Sequence, residues 1–127
     1  MRSLLPQDVV KSSPRSIVVI AQNDPDVAQA LSNDLHAHFA EVIVAENASD
    51  LRPLLLRHPR VRVAVLDLDL VNVEEVRHLA STCCNLTIVC THPSPDERMW
   101  IAALDAGAVE YCHPYDIRSI VRARSAA

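Results

Sequence analysis

Val61-Arg62-Val63-Ala64-Val65-Leu66-Asp67 is an apolar run that ends on a carboxylate. Its near-continuous apolar character, with Val63, Ala64 and Val65 in succession, suits a strand covered on both faces, as in parallel sheets. Open α/β sheets carry their chemistry at the carboxyl ends of the strands, so Asp67 stands where a functional group belongs.

Working outward, four more short apolar runs flank it: Ile17 to Ala21, Val42 to Ala45, Leu86 to Cys90 and Ala108 to Cys112. Helical patterns separate them. Asp24 caps the first helix with Pro25 at its first position, and Val27, Leu31, Leu35 and Phe39 share one face. The second begins near Ser49 or Asp50, takes Pro53 in its first turn and ends before Pro59. Asn72 caps a third, with Val73, Val76, Leu79 and Cys83 inward. Ser94-Pro95-Asp96-Glu97 has capping-box spacing with proline at the first helical position, and Gly107, the only glycine, stops that helix. A last helix follows Asp116. The pattern is (βα)5. Right-handed crossovers and two faces to cover lead to a doubly wound, flavodoxin-like parallel sheet of order 2-1-3-4-5.

The 127 residues fit one domain, spanning about 16–124, with an N-terminal extension over 1–15 and a short tail over 125–127. No apolar run approaches the roughly twenty residues of a membrane span, and charge and proline interrupt the N-terminus before any signal-peptide core, so a cytoplasmic location is expected. The four cysteines, in apolar surroundings, read as reduced and buried thiols. A net charge of −4 argues against direct nucleic-acid binding. One glycine cannot supply a dinucleotide fingerprint or a phosphate-binding loop, and Gln22-Asn23-Asp24-Pro25-Asp26 after the first strand would repel a flavin phosphate.

Several pieces together resemble the receiver domain of two-component response regulators, a CheY-like family, in an atypical or pseudo-receiver form. Ile17 to Pro25 is similar to the first strand and its acidic loop, Val65-Leu66-Asp67 to the phosphoacceptor strand, and Ile88-Val89-Cys90-Thr91 to the fourth strand with its switch hydroxyl. Ala103 to Ala108, Tyr111 and His113-Pro114-Tyr115 resemble the fourth helix, the fifth strand and the segment that normally reads Lys-Pro-Phe. The resemblance implies Asp67 as phosphoacceptor, Thr91 as switch hydroxyl, His113 in place of the lysine, a cis His113–Pro114 bond, and a signalling module in a phosphorelay rather than an enzyme.

The departures bear on chemistry. An anionic carboxylate attacks an anionic phosphoryl group only when cations offset the charge. The two acids of the family's first loop are Gln22 and Asn23 here, and Lys11, the only lysine, precedes the first strand. Asp67, Asp24, Asn23 and Asp69 are therefore weak Mg2+ candidates; Asp24 reads first as a helix cap, because Pro25 follows it, and Asp69 as a solvated loop acid or the residue that tunes phosphoryl lifetime. His113 is a weak, pH-sensitive partner for Asp67 or a loop histidine. His92 puts an imidazole beside the pocket mouth, where the family has a small residue. Val71 and Glu75 replace the loop proline and glycine after Asp67, so an early third-helix start is expected. The interval from Gly107 to Pro114 is one residue short, leaving Tyr111 and Glu110 both eligible for the aromatic switch position.

The expected role is interaction. Met99, Trp100, Tyr111, Arg118 and Arg122 make a candidate interface for a histidine kinase or other signalling protein, or for a homodimer through the fourth helix, fifth strand and fifth helix. The alternatives are a fully phosphorylatable stand-alone response regulator, a soft-metal module built from Cys90, His92, Cys112 and His113, and a purely structural α/β module.

Overall fold

The computed structural model describes residues 16–126, Ala126 by its backbone alone; the extension expected over 1–15, and Ala127, lie outside the described residues. Five strands, β1 (Ile17–Ala21), β2 (Glu41–Val44), β3 (Val61–Asp67), β4 (Thr87–Thr91) and β5 (Glu110–Cys112), form one sheet. Its order is 2-1-3-4-5 and every pairing is parallel. The helices are α1 (Pro25–Leu35), α2 (Leu51–Arg57, entered through a 3-10 turn at Ala48–Asp50), α3 (Val73–Thr82), α4 (Glu97–Ala106) and α5 (Ile117–Ala126). The last helix thus runs through part of the tail expected from 125.

Alternate side chains of the central strands divide the core into two layers. Val19, Ala64, Leu66, Ile88 and Cys90 face α2, α3 and α4 through Leu51, Leu54, Val76, Leu79, Ala103 and Ala106. Val18, Ile20, Val63, Val65 and Val89 face α1 and α5 through Leu31, Leu35, Ile120 and Ala123, with Phe39 closing the bottom. Each large aliphatic side chain so buried contributes roughly 1.5–3 kcal/mol before conformational entropy is subtracted. The register between β1 and β3 slips after Ile17, which pairs with Val61 while Val18 pairs with Val63. The unpaired residue is Arg62, and the slip leaves it exposed.

Local signals fixed most helix ends. Asp24 caps α1 by accepting the Asp26 amide, with Pro25 at the first position. Asn72 caps α3 by accepting the Glu75 amide, and Glu75, which stands in place of the loop glycine, lies inside the first turn of the helix. Gly107, at φ +117, ends α4 with its amide on the carbonyls of Ala103 and Leu104. The start of α4 differs from expectation: Asp96, not Ser94, is the cap, accepting the Met99 amide. The Ser94 amide is instead engaged by His92 Nδ1, and the helix begins at Glu97. A further correction concerns His113–Pro114, which is trans, since the described residues contain no cis peptide bond. The chain turns here by other means, with the Asp116 amide reaching the His113 carbonyl.

The thiols also part from expectation. Cys90 and Cys112 are buried, but Cys83 is half-buried and Cys84 exposed in the turn after α3. No described helix is long and apolar enough to cross a membrane.

Candidate functional site

Three neighbouring strands, β1, β3 and β4, end at one edge of the sheet, and each delivers a polar side chain there. Gln22 follows β1, Asp67 ends β3 and Thr91 ends β4; all three are buried among apolar neighbours. Asp67 and Thr91 are direct partners in the β3–β4 register, so the carboxylate and the hydroxyl project side by side.

Each group is already hydrogen-bonded within the chain. Asp67 is 4% exposed. One of its oxygens, Oδ2, accepts the Asn23 amide at 2.9 Å, and the other, Oδ1, accepts the Asp69 amide at 2.9 Å. Gln22 turns its amide inward and donates from Nε2 to Thr91 Oγ1 at 3.0 Å. The backbone supports these positions: the Leu68 amide donates to the Thr91 carbonyl, and the Leu70 and Val71 amides close a turn on the Asp67 carbonyl. Buried polar groups are stable when so satisfied, and costly to strip.

The mouth of the site is crossed by a contact that sequence reasoning placed only halfway. His92 was expected near the opening; its partner was not. Its Nε2 lies 3.0 Å from Asp69 Oδ1, while its Nδ1 accepts the Ser94 amide at 3.0 Å. An imidazole nitrogen that accepts carries no proton, so the proton of the neutral ring sits on Nε2 and is directed at Asp69.

The remaining candidates scatter. Asp24 is engaged as a helix cap. Asn23 contributes its backbone amide, and its residue is exposed. His113 corrects an expectation: its Nδ1 accepts the Tyr115 amide at 3.1 Å and its ring meets that of Tyr115 at 5.4 Å, whereas no hydrogen bond or ion pair joins it to Asp67. His113 thus makes its hydrogen bond and ring contact with Tyr115. Among the described residues no three His, Cys, Asp or Glu side chains come together to hold a metal ion. Of the Mg2+ candidates, Asp67 and Asp69 lie together at this edge, Asn23 meets Asp67 through its backbone amide, and Asp24 is engaged as a cap. The soft-ligand set fails on the pleat of the sheet: Cys90 lies in the layer of α2 to α4, Cys112 in that of α1 and α5. Burial pushes both thiols up to about 12, far from the thiolate a metal needs.

Of the interface candidates, Trp100 is 46% exposed on α4 beside the exposed Ile101 and Leu104, and Arg118 and Arg122 are exposed on α5. Met99 is half-buried against the core. Tyr111, expected at the interface, is 7% exposed and packs opposite Cys90 in the α2–α4 layer. Its hydroxyl is buried without a regular hydrogen bond, near the backbone of Asp96, and burial pushes the phenol up. Tyr111, rather than the half-buried Glu110, thus fills the space beneath the β4–α4 loop.

No protein-family model matches the chain, and no curated protein matches it. Solved structures do. A BeF3-activated receiver domain, DrrB, superposes with a TM-score of 0.73 at 17% identity, covering 90% of this chain and 100% of that one. An orphan response regulator of H. pylori gives 0.75 at 18%, over 89% and 98%. The signal receiver domain of a DNA-binding response regulator, merR, from Colwellia psychrerythraea 34H gives 0.76 at 18%, over 87% and 96%. At such identities the likeness establishes the fold, which is that of receiver domains.

Proposed function

We propose that the chain is a pseudo-receiver, a signalling module that acts through protein contacts, with Asp67 as a weak residual phosphoacceptor. The observation that carries this is the state of the Asp67 carboxylate, buried with both oxygens already held by backbone amides. To attack a phosphoryl group, an oxygen of Asp67 must leave one of those amides, and the developing negative charge must be offset. The side chains bordering Asp67 that could do so are neutral: Gln22 is spent on Thr91, and Asn23 carries no charge. Missing stabilisation of about 3 kcal/mol slows such a transfer roughly a hundredfold.

What remains competent is the surface. Trp100, Arg118 and Arg122 are the residue types that dominate binding energy at interfaces, and they stand exposed on α4 and α5. A histidine kinase or another signalling protein, or a second copy of the chain, is the partner class that suits this face.

The ordinary phosphoryl-accepting regulator has one observation in its favour, the side-by-side placement of Asp67 and Thr91. Incubation with a small acyl phosphate and magnesium, followed by intact mass, separates the two. Slow, partial addition supports the pseudo-receiver. Rapid and complete addition of one phosphoryl group, abolished in Asp67→Asn, overturns it in favour of the ordinary regulator.

A further inference from the structure

The contact between His92 and Asp69 closes a chain of hydrogen bonds. The Ser94 amide donates to His92 Nδ1, His92 Nε2–H points at Asp69 Oδ1, and the Asp69 amide donates to Asp67 Oδ1. The distances are 3.0, 3.0 and 2.9 Å. The backbone of His92 is itself anchored, since its amide donates to the Cys112 carbonyl of β5. Two loops that converge on the Asp67 edge, one after β3 and one after β4, are thereby joined by a side chain.

We propose that His92 and Asp69 form an internal latch that takes up the carboxylate a cation would otherwise use, and so holds the β4–α4 loop closed over Asp67. Asp69 is the half-exposed acid nearest the acceptor, with its side chain 49% accessible, and the imidazole covers it from a position where it is itself 25% accessible. A divalent cation that takes Asp69 through Oδ1 competes with His92 for that oxygen. Displacement frees the imidazole, and with it the Ser94 amide and the loop that leads through Asp96 into α4 and Trp100. The closed state is thus maintained by the chain's own histidine, and opening is a matter of competition for one carboxylate. The latch rests on the receiver reading of the Asp67 edge, but its test requires no phosphoryl transfer.

Amide hydrogen exchange in the whole chain reads it. In Asp69→Ala, exchange at Ser94 is expected to quicken about tenfold, the worth of one charge-assisted hydrogen bond, although Ser94 lies 25 residues away. His92→Ala should quicken both the Ser94 and Asp69 amides, and the double variant should add nothing further at Ser94. His92→Asn keeps an acceptor for the Ser94 amide but cannot reach Asp69; Ser94 should stay slow while Asp69 quickens. Titration with Mg2+ alone, followed by the fluorescence of Trp100, the single tryptophan, supplies the second measurement. Both His92→Ala and His92→Asn should respond at about tenfold lower Mg2+ than the wild type. Unchanged Ser94 exchange in Asp69→Ala, additive effects in the double variant, or equal Mg2+ response in all proteins would overturn the latch. Failure of the phosphoryl-transfer experiment, in either direction, would leave these outcomes unaffected.

Discussion

Gln22 and Thr91, 69 residues apart in sequence, meet in a buried 3.0 Å hydrogen bond between the ends of β1 and β4. The bond bridges over β3, so it ties that strand between its two neighbours. Removing one partner leaves the other buried and unpaired, which costs about 1–3 kcal/mol. Gln22→Leu and Thr91→Val are each expected to lower unfolding stability by that amount, and the double variant by less than their sum. A double-mutant cycle in urea showing strict additivity would mean that the bond contributes nothing.

Gly107 is required twice over. Its φ of +117 is strained for any other residue, and a Cβ there would lie 2.5 Å from the Cβ of Ala80 on α3. Gly107→Ala should cost at least about 2 kcal/mol, combining backbone strain with overpacking. Adding Ala80→Gly should recover the steric part only. Chemical denaturation of the three variants measures the split; a Gly107→Ala protein as stable as the wild type contradicts the geometry.

The four thiols should react in two classes. Cys84 is exposed and Cys83 half-buried, whereas Cys90 and Cys112 are buried with thiols pushed up to about 12. A thiol reagent added to the native protein should label the exposed Cys84 first and the half-buried Cys83 more slowly, with Cys90 and Cys112 reacting only after unfolding. A thermodynamic consequence follows. Above the ordinary thiol value of 9.0 the unfolded chain releases these protons while the folded one retains them, so stability falls as pH rises from there toward about 12. A Cys90→Ala, Cys112→Ala protein should show a shallower alkaline slope; an identical slope would assign the loss to other groups.

At the acid end, two carboxylates are held below their usual range. The Ser119 hydroxyl and amide lower Asp116, which caps α5, and the Arg52 guanidinium lowers Glu75 through paired bonds at 2.8 and 2.7 Å between α2 and α3. A depressed carboxylate contributes stability above its unfolded pKa and loses it as pH falls through the folded value. The acid limb of the stability curve should therefore begin near about pH 4. Asp116→Asn and Glu75→Gln should each flatten it, and high salt should weaken the Glu75 effect because that pair is at the surface.

Association should depend on α4 and α5. Trp100→Ala is expected to weaken any dimer or partner complex at least tenfold, and Arg122→Glu to weaken it in a salt-sensitive manner. Sedimentation at increasing salt, with pull-down of the partner, is the measurement. A dimer indifferent to both changes, or a strict monomer that loses no partner, rules this face out.

The elements and their order were legible in the sequence because they rest on local physics. Continuous apolar runs demand a sheet covered on both faces; Asp24, Asn72 and Gly107 set helix ends through bonds that span two to four residues. Even Asp67 was legible, as the polar residue closing the central apolar run. What tertiary structure alone decided is the state of that residue. The partners of its edge come from 23, 44 and 69 residues away, through His92 to Asp69, Asn23 to Asp67 and Gln22 to Thr91. Such bonds depend on how strand ends align and which way a loop turns, and no local propensity encodes either. The same cause brought His113 against Tyr115, buried Tyr111, and set Cys90 and Cys112 on opposite faces of one sheet.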